Sequence, residues 1–321
     1  MSRQSGPPLR IGVAGCGRIA ERGYLPAIAR LGDVRLEAVA DIDLDRCERA
    51  APGVRPFAAV DELLAAVELD LLVVATPAAS HVEVARRAAS VGVRSLVEKP
   101  PALDLVEAME LARLEPLPLI GLNRRFDPGL DRIRGEAARR VGGLRLRLDL
   151  TIDPLAWGSF TASDSALLDL GPHLADLVAW IAGSPVDRVR TLRSAPRETE
   201  FEVEFEGGGG VVKASHAGGW HELVEARDGG GAVIGRFVAG GVARRLVARL
   251  RPGDARPLVG TIASQLAAVA GMQRTGRVDH RLATAADGVA VMAVLDAVGR
   301  SAAANGSWAG VVSPGVVTCL R

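Results

Sequence analysis

The sequence predicts a two-domain protein: a doubly wound α/β domain with a parallel sheet over residues 1–122, then an α+β domain over 123–321. Three observations lead there. Short apolar runs alternate with amphipathic stretches as far as Asn123, the pattern of buried parallel strands joined by helices. A glycine-rich turn separates the first run from the first amphipathic stretch. Beyond Asn123 the pattern becomes period-2 alternation broken by Gly-rich turns, which predicts a predominantly antiparallel sheet.

The strands expected in the first domain are Leu9–Gly15, Leu36–Asp41, Leu69–Thr76, Arg94–Pro100 and Pro118–Asn123. Helices are expected over Arg18–Leu31, Leu44–Ala51, Asp61–Val67, His81–Gly92 and Asp104–Leu114, with Asp61 and Asp104 as N-caps and Gly92 as a stop. The second domain should open with a helix over Pro128–Arg140 and a strand through Gly142–Asp153, then a helix over Pro172–Ala182. Strands follow at Val186–Arg193, Glu200–Glu206, Gly210–Ser215, Leu223–Ala226 and Val233–Val238, and late helices at Leu258–Met272 and Ala283–Ala304. The glycine runs at 207–210 and 229–231 read as hairpin turns, because no helix follows them directly.

Composition narrows the function classes. A net charge of +1 with mixed signs leaves no electrostatic footprint for nucleic acid or a membrane surface. No apolar run approaches bilayer length, and the N-terminal residues lack a secretory pattern. Three cysteines (Cys16, Cys47, Cys319) lack metal-ligand spacing, so neither a disulfide framework nor a metal site is expected, and a soluble, cytoplasmic protein is the default. Of 39 basic residues only Lys99 and Lys213 are lysines. Arginine stays protonated, whereas lysine can be tuned toward neutral pH, so each lysine invites a question.

The turn Gly15-Cys16-Gly17-Arg18-Ile19-Ala20 follows the first strand and opens the first helix. Gly15 permits the tight turn, Gly17 lets backbone approach a pyrophosphate, and Ala20 allows close packing, while the helix N-terminus offers N–H groups to phosphate. Asp41 ends the second strand 21 residues beyond Ala20, where a carboxylate can accept ribose hydroxyls. The expected cofactor is NAD; nearby Arg46 keeps NADP open as the alternative.

Further segments accompany this turn: Thr76-Pro77-Ala-Ala-Ser-His81 and Glu98-Lys99-Pro100 at strand ends, Gly121–Phe126, and Asp169-Leu-Gly-Pro-His173 in the second domain. In this order the chain resembles the glucose–fructose oxidoreductase / inositol dehydrogenase (Gfo/Idh/MocA) family, through G-x-G-x-x-A, A-T-P-x-x-x-H, E-K-P, G-x-N-x-R-F and D-x-G-x-H. The late Ala286-Asp287-Gly288 fits as well. The resemblance implies a Rossmann domain plus a domain with an open-faced antiparallel sheet. It also carries Lys99, Asp169 and His173 into the family's catalytic roles and implies that Thr76, Pro77 and Glu98 line the cofactor. The family pattern often has Asn where this chain has Ala78, which removes one polar group near the cofactor.

The chemistry asks for the same residue types. Taking hydride from an alcohol carbon needs a base for the hydroxyl proton and a donor for developing alkoxide charge. His173 is the expected base; Pro172 at a first helical position would put it in the first turn, where the dipole favours neutral imidazole. Lys99 would bind the reacting oxygen, and Asp169 would orient the imidazole or bind a neighbouring hydroxyl. His81 reads as a helix-start residue packing beside the cofactor strand. Asn123, Arg125 and Asp153 are candidates to touch substrate, and His216, His221 and His280 match no motif. Trp157, Trp180 and Trp220 read as core or pocket walls. The expected substrate is a small sugar, sugar nucleotide or cyclitol-like polyol. A non-catalytic nicotinamide-binding regulator and an NAD-dependent glycosidase stand as alternatives. A homodimer or homotetramer is expected, because an apolar open sheet face would need covering.

Overall fold

A computed structural model describes residues 6–140, 142–154, 165–240 and 257–312. Two units divide the chain, one of residues 1–126 and 256–288, the other of 127–255 and 289–321.

The first unit is built on a sheet of seven strands: β1 (Leu9–Ala14), β2 (Val34–Ala40), β3 (Arg55–Phe57), β4 (Leu71–Val74), β5 (Arg94–Val97), β6 (Leu119–Ile120) and β13 (Ala283–Thr284). Their order is β13-β6-β5-β4-β1-β2-β3, all parallel except β13, which pairs antiparallel with β6. This is the doubly wound Rossmann arrangement. The strands are apolar on both faces (β4 reads Leu-Leu-Val-Val, wholly buried), as helices on both sides require. Those helices include α1 (Leu25–Ile28), α2 (Leu44–Ala50), α3 (Val60–Ala66), α4 (His81–Ser90) and α5 (Leu105–Leu111). Asp104 caps α5, its side chain accepting from Glu107 N as expected. Asp61 does not cap α3: the cap is Ala59 and Asp61 falls in the first turn, where a carboxylate still meets the positive end of the dipole. The short strand β3 is absent from the sequence reading because Arg-Pro-Phe carries no periodicity.

The first unit also claims a late segment. Helix α8 (Pro257–Thr275) buries Val259, Ile262, Leu266 and Val269 in the core formed by Ile11, Val13, Tyr24 and Leu96. Gln265, wholly buried, donates from Nε2 to the Ile120 carbonyl at 3.0 Å. A boundary at residue 122 with everything later in a second domain is therefore corrected: residues 256–288 return to complete the first core.

The second unit holds another seven-stranded sheet, ordered β12-β11-β7-β10-β9-β8-β14. Its strands are β7 (Leu144–Thr151), β8 (Val186–Ala195), β9 (Glu198–Phe205), β10 (Gly208–Ser215), β11 (His221–Asp228), β12 (Val233–Gly240) and β14 (Ala309–Gly310). All neighbours are antiparallel but β7 and β10, which run parallel. Helices α6 (Pro128–Ala138) and α7 (Ala166–Ala182) pack on the sheet, and α9 (Ala285–Ala303) spans the boundary between the units. The 207–210 glycines make a tighter hairpin than expected: only Gly207, at φ +76°, lies in the turn, and the other three belong to β10.

One face of this sheet is apolar and buried, the other charged. Along β9, Thr199, Phe201, Val203 and Phe205 are buried while Glu198, Glu200, Glu202 and Glu204 alternate outward. Arg188 meets Glu204 at 2.6 Å, Lys213 meets Glu198 at 3.2 Å, and Arg190 pairs with Glu202. Cross-strand pairs of this kind suit a solvated face. The expectation of an apolar open face that must be covered is corrected, and with it the reason given for a dimer or tetramer. Among the described residues, no helix is long and apolar enough to cross a membrane.

Candidate active site

In the first sheet the strand order reverses between β1 and β4, and such a switch point opens a crevice at the carboxyl edge. Gly15 leaves β1 at φ +90°. A Cβ there would lie 2.5 Å from the Ala75 carbonyl oxygen and 2.7 Å from Thr76 N, so only glycine lets the two strand ends pass. At Gly17 a Cβ would meet nothing within 4 Å, leaving the backbone open to an approaching group. Arg18 is exposed and Ile19 half-buried at the helix start; Ala20 is wholly buried. The chain continues through a π-helical turn, Ala20–Tyr24, into α1.

Asp41 locks this turn to the end of β2. Its Oδ2 accepts from Cys16 N at 2.8 Å and its Oδ1 from Asp43 N at 3.0 Å, while Arg46 Nη1 lies 3.4 Å from Oδ1. Cys16, expected at the cofactor, is instead wholly buried, its amide engaged by Asp41 and its Sγ 3.6 Å from Cys47 Sγ. Burial pushes both thiols up, so they are poor nucleophiles. Ile42, next in the chain, is 94% exposed, an apolar side chain at a strand end where a polar one would be expected.

Thr76 and Pro77 follow β4, Thr76 half-buried and Pro77 exposed, with Ser80 Oγ 2.9 Å from both Thr76 Oγ1 and the Pro77 carbonyl. His81 and Glu98 prove to be braces. His81 is 1% exposed, with Nδ1 2.9 Å from the Pro100 carbonyl and Nε2 2.8 Å from the Thr76 carbonyl, so it spans the ends of β4 and β5. Burial lowers its pKa. Glu98 is 5% exposed; Tyr24 donates its hydroxyl to Oε1 at 2.7 Å, and Lys99 N donates to Oε2 at 3.0 Å. Burial pushes the Glu98 carboxyl up, against the pull of the Tyr24 hydroxyl and the Lys99 charge. Gly121 closes over the pair, since a Cβ there would stand 2.9 Å from Glu98 Oε1. Lys99, half-buried at the carboxyl end of β5, is thus held on both sides.

Two substrate candidates in this unit are deeply placed. Asn123 is 4% exposed. Arg125 is 5% exposed and donates from Nη2 to Asp287 Oδ1 at 2.9 Å, while Asp287 Oδ2 accepts from Thr284 N. Arg125 therefore ties the end of β6 to the start of α9.

In the second unit the parallel pair β7 and β10 end side by side. Ile152 N donates to the Ser215 carbonyl at 3.0 Å, carrying the pairing one residue past the strands, and Asp153, half-buried, follows. Helix α7 lies against these strands and carries Asp169 and His173 four residues apart, on one face. Its N-cap is Ser165, so Asp169 is in the first turn and Pro172 is internal. The expectation of Pro172 at N1, with His173 in the first turn under the dipole, is corrected. Two further turns of helix form upstream because Ala166, Leu167 and Leu168 are strong helix formers behind a serine cap. His173 is half-buried. Asp169 Oδ2 is 3.0 Å from Nε2 of His216, a residue the motifs passed over. Trp157 lies outside the described residues, and Trp180, buried, has the Arg134 guanidinium 5.2 Å from its ring centroid. Among the described residues, no group of three or more His, Cys, Asp or Glu side chains is arranged to hold a metal ion.

Residues 9–116 match the GFO_IDH_MocA model, described as an oxidoreductase family with an NAD-binding Rossmann fold. The chain is 30% identical over 192 residues to inositol 2-dehydrogenase 2 of Paenarthrobacter aurescens (strain TC1), an overlap of 57% of this chain and 58% of that protein. The chain thus spans less than two thirds of the length of that curated relative. Among solved structures it is similar to GenD2 from gentamicin A biosynthesis, solved in complex with NAD (24% identity, TM-score 0.79, 97% of this chain and 99% of that one). It is likewise similar to myo-inositol 2-dehydrogenase from Lactobacillus plantarum (19% identity, TM-score 0.79, 95% and 100%). At these identities the structural likeness is one of fold. The match shows an NAD-binding Rossmann segment of the Gfo/Idh/MocA oxidoreductase type over residues 9–116, and the chain as a whole is similar to proteins of that family.

Proposed function

We propose that the protein is an NAD-dependent oxidoreductase that interconverts a secondary alcohol and a ketone on a sugar- or cyclitol-like substrate. The observation that carries this reading is Lys99: one of only two lysines in the chain, it sits at the carboxyl end of β5 with its backbone fixed by Glu98 and its loop by His81. A lysine whose backbone is anchored at a sheet edge that also presents a dinucleotide turn suits oxidation of a hydroxyl better than binding alone.

The residues fit the nucleotide. Gly15 and Gly17 keep the turn free of side chains, Asp41 supplies a fixed carboxylate for ribose hydroxyls, and exposed Ile42 offers an apolar wall to adenine. The bound nicotinamide supplies a hydride acceptor or donor. Lys99 hydrogen-bonds the reacting oxygen and stabilises alkoxide character as the C–H bond weakens. His173 accepts the hydroxyl proton in oxidation and returns it in reduction. Asp169 orients substrate or imidazole, and Asp153 is a further substrate contact. Asp41 favours NAD over NADP because a carboxylate repels a 2′-phosphate.

The test is spectrophotometric. With NAD and a panel of inositols, aldoses and amino sugars, absorbance of reduced nicotinamide should rise for at least one polyol, and Lys99→Met should reduce kcat by about 100-fold or more. Silence of the wild type with every polyol and both cofactors sinks the reading. Release of a leaving group without net reduction of NAD would instead assign glycosidase chemistry.

A further inference from the structure

We propose that His216 is a positioning residue for Asp169: it fixes the carboxylate through a donated Nε2–H and so sets the direction in which the second carboxylate oxygen faces. The inference deepens the function proposed above and rests on it for the role of Asp169, not for the contact itself.

The contact is built from both sides. His216 is the first residue after β10, and its backbone is clamped: its N donates to the Arg197 carbonyl at 2.8 Å, and its own carbonyl accepts from Arg197 Nη2 at 3.0 Å. The backbone is thus anchored on both sides, and the residue is 3% exposed. There its Nε2 is 3.0 Å from Asp169 Oδ2, whose side chain is 15% exposed. The backbone that carries Asp169 is held by the helix: Asp169 N donates to the Ser165 carbonyl at 3.0 Å, and Ser165 Oγ accepts from Leu168 N.

Oδ2 of Asp169 is engaged by an imidazole that is nearly out of solvent, and His173 follows one turn further along the same face of α7. An imidazole suits the task better than the arginine this chain uses almost everywhere. It can hold the carboxylate with a single neutral donor, where a guanidinium would engage both oxygens as a fork. A partner that fixes the direction of a catalytic carboxylate acts through geometry, as outer partners of ligating or catalytic histidines do.

Two measurements test this. In wild-type protein labelled with 15N-histidine, with the His216 signal identified by its loss in His216→Gln, the neutral ring should be the Nε2–H tautomer. Asp169→Asn should change its tautomer populations. An Nδ1–H ring, or a His216 signal indifferent to Asp169→Asn, overturns the proposal, and neither result depends on any activity. In steady-state assays with a polyol that the wild type oxidises, His216→Phe should lower kcat by roughly 10-fold to 100-fold with KM for NAD within about twofold. His216→Gln, whose amide nitrogen can take the place of Nε2, should recover most of that loss, and His216→Asn, one bond shorter, should not. Equal activity of the Gln and Phe variants, with both folded by circular dichroism, overturns the positioning role. If the wild type oxidises no polyol, the proposed function has failed, and the tautomer measurement still decides whether His216 holds Asp169.

Discussion

Single residues that the motifs pick out divide into those left partly exposed and those that hold others in place. Sequence spacing does not distinguish them, because motif position reports adjacency in the chain and burial reports neighbours from elsewhere. Glu98 is the clearest case. It stands next to Lys99, yet its carboxyl is turned inward to Tyr24, 74 residues away in the chain. Burial raises its pKa in the folded protein above the ordinary carboxylate value, so the sign of its pH effect is fixed. Stability tied to Glu98 is fully present below the unfolded pKa and is lost as pH rises through the raised folded value. Urea melts from pH 4.5 to 8 should therefore show the difference between wild type and Glu98→Gln moving against the wild type as pH rises. Parallel curves for the two proteins would show that Glu98 does not titrate in this window. His216 escaped the sequence reading for a related reason: its one signal, a histidine directly after a strand and before Gly218-Gly219, is common at surface turns.

Among the elements, α7 matters most to the proposed chemistry, since it alone carries both Asp169 and His173. The sequence located its far end well, with Gly183 in the left-handed conformation at φ +70°. It misplaced the start because Pro172 carries the strongest helix-start signal in the segment, whereas the true cap is Ser165. Pro172 inside a helix sacrifices one backbone hydrogen bond, leaving the N-terminal turns dependent on their cap. Ser165→Ala should cost about 1 kcal/mol in chemical denaturation, and Ser165→Asp should restore most of it. A loss in both variants alike would mean that the hydroxyl does not act as a cap. Strands β8 to β10 were more legible, because strict alternation along Glu198–Phe205 declares one buried and one solvated face. What alternation did not declare was that the solvated face of the sheet would be a lattice of Arg–Glu pairs.

At the scale of the whole molecule, the first unit depends on a helix that the chain delivers more than a hundred residues after leaving it. Leu266, fully buried in α8, belongs to the core that includes Ile11 and Val13 of β1. Leu266→Ala should cost about 2–5 kcal/mol, and the nucleotide-binding unit should lose cooperative unfolding with it. An unchanged thermal transition would remove α8 from that core. The sequence by itself determined the doubly wound sheet, the dinucleotide turn, the antiparallel character of the second sheet and the resemblance to one oxidoreductase family, because each is written in local periodicity or in motif spacing along one stretch of chain. Only the tertiary structure decided that α8 belongs to the first core, that Glu98 and His81 brace Lys99, and that His216 meets Asp169. The first depends on apolar contacts between distant segments, and the other two on which buried polar groups find partners across long loops. Desolvation makes such pairing obligatory but leaves no periodic trace in either partner's own segment.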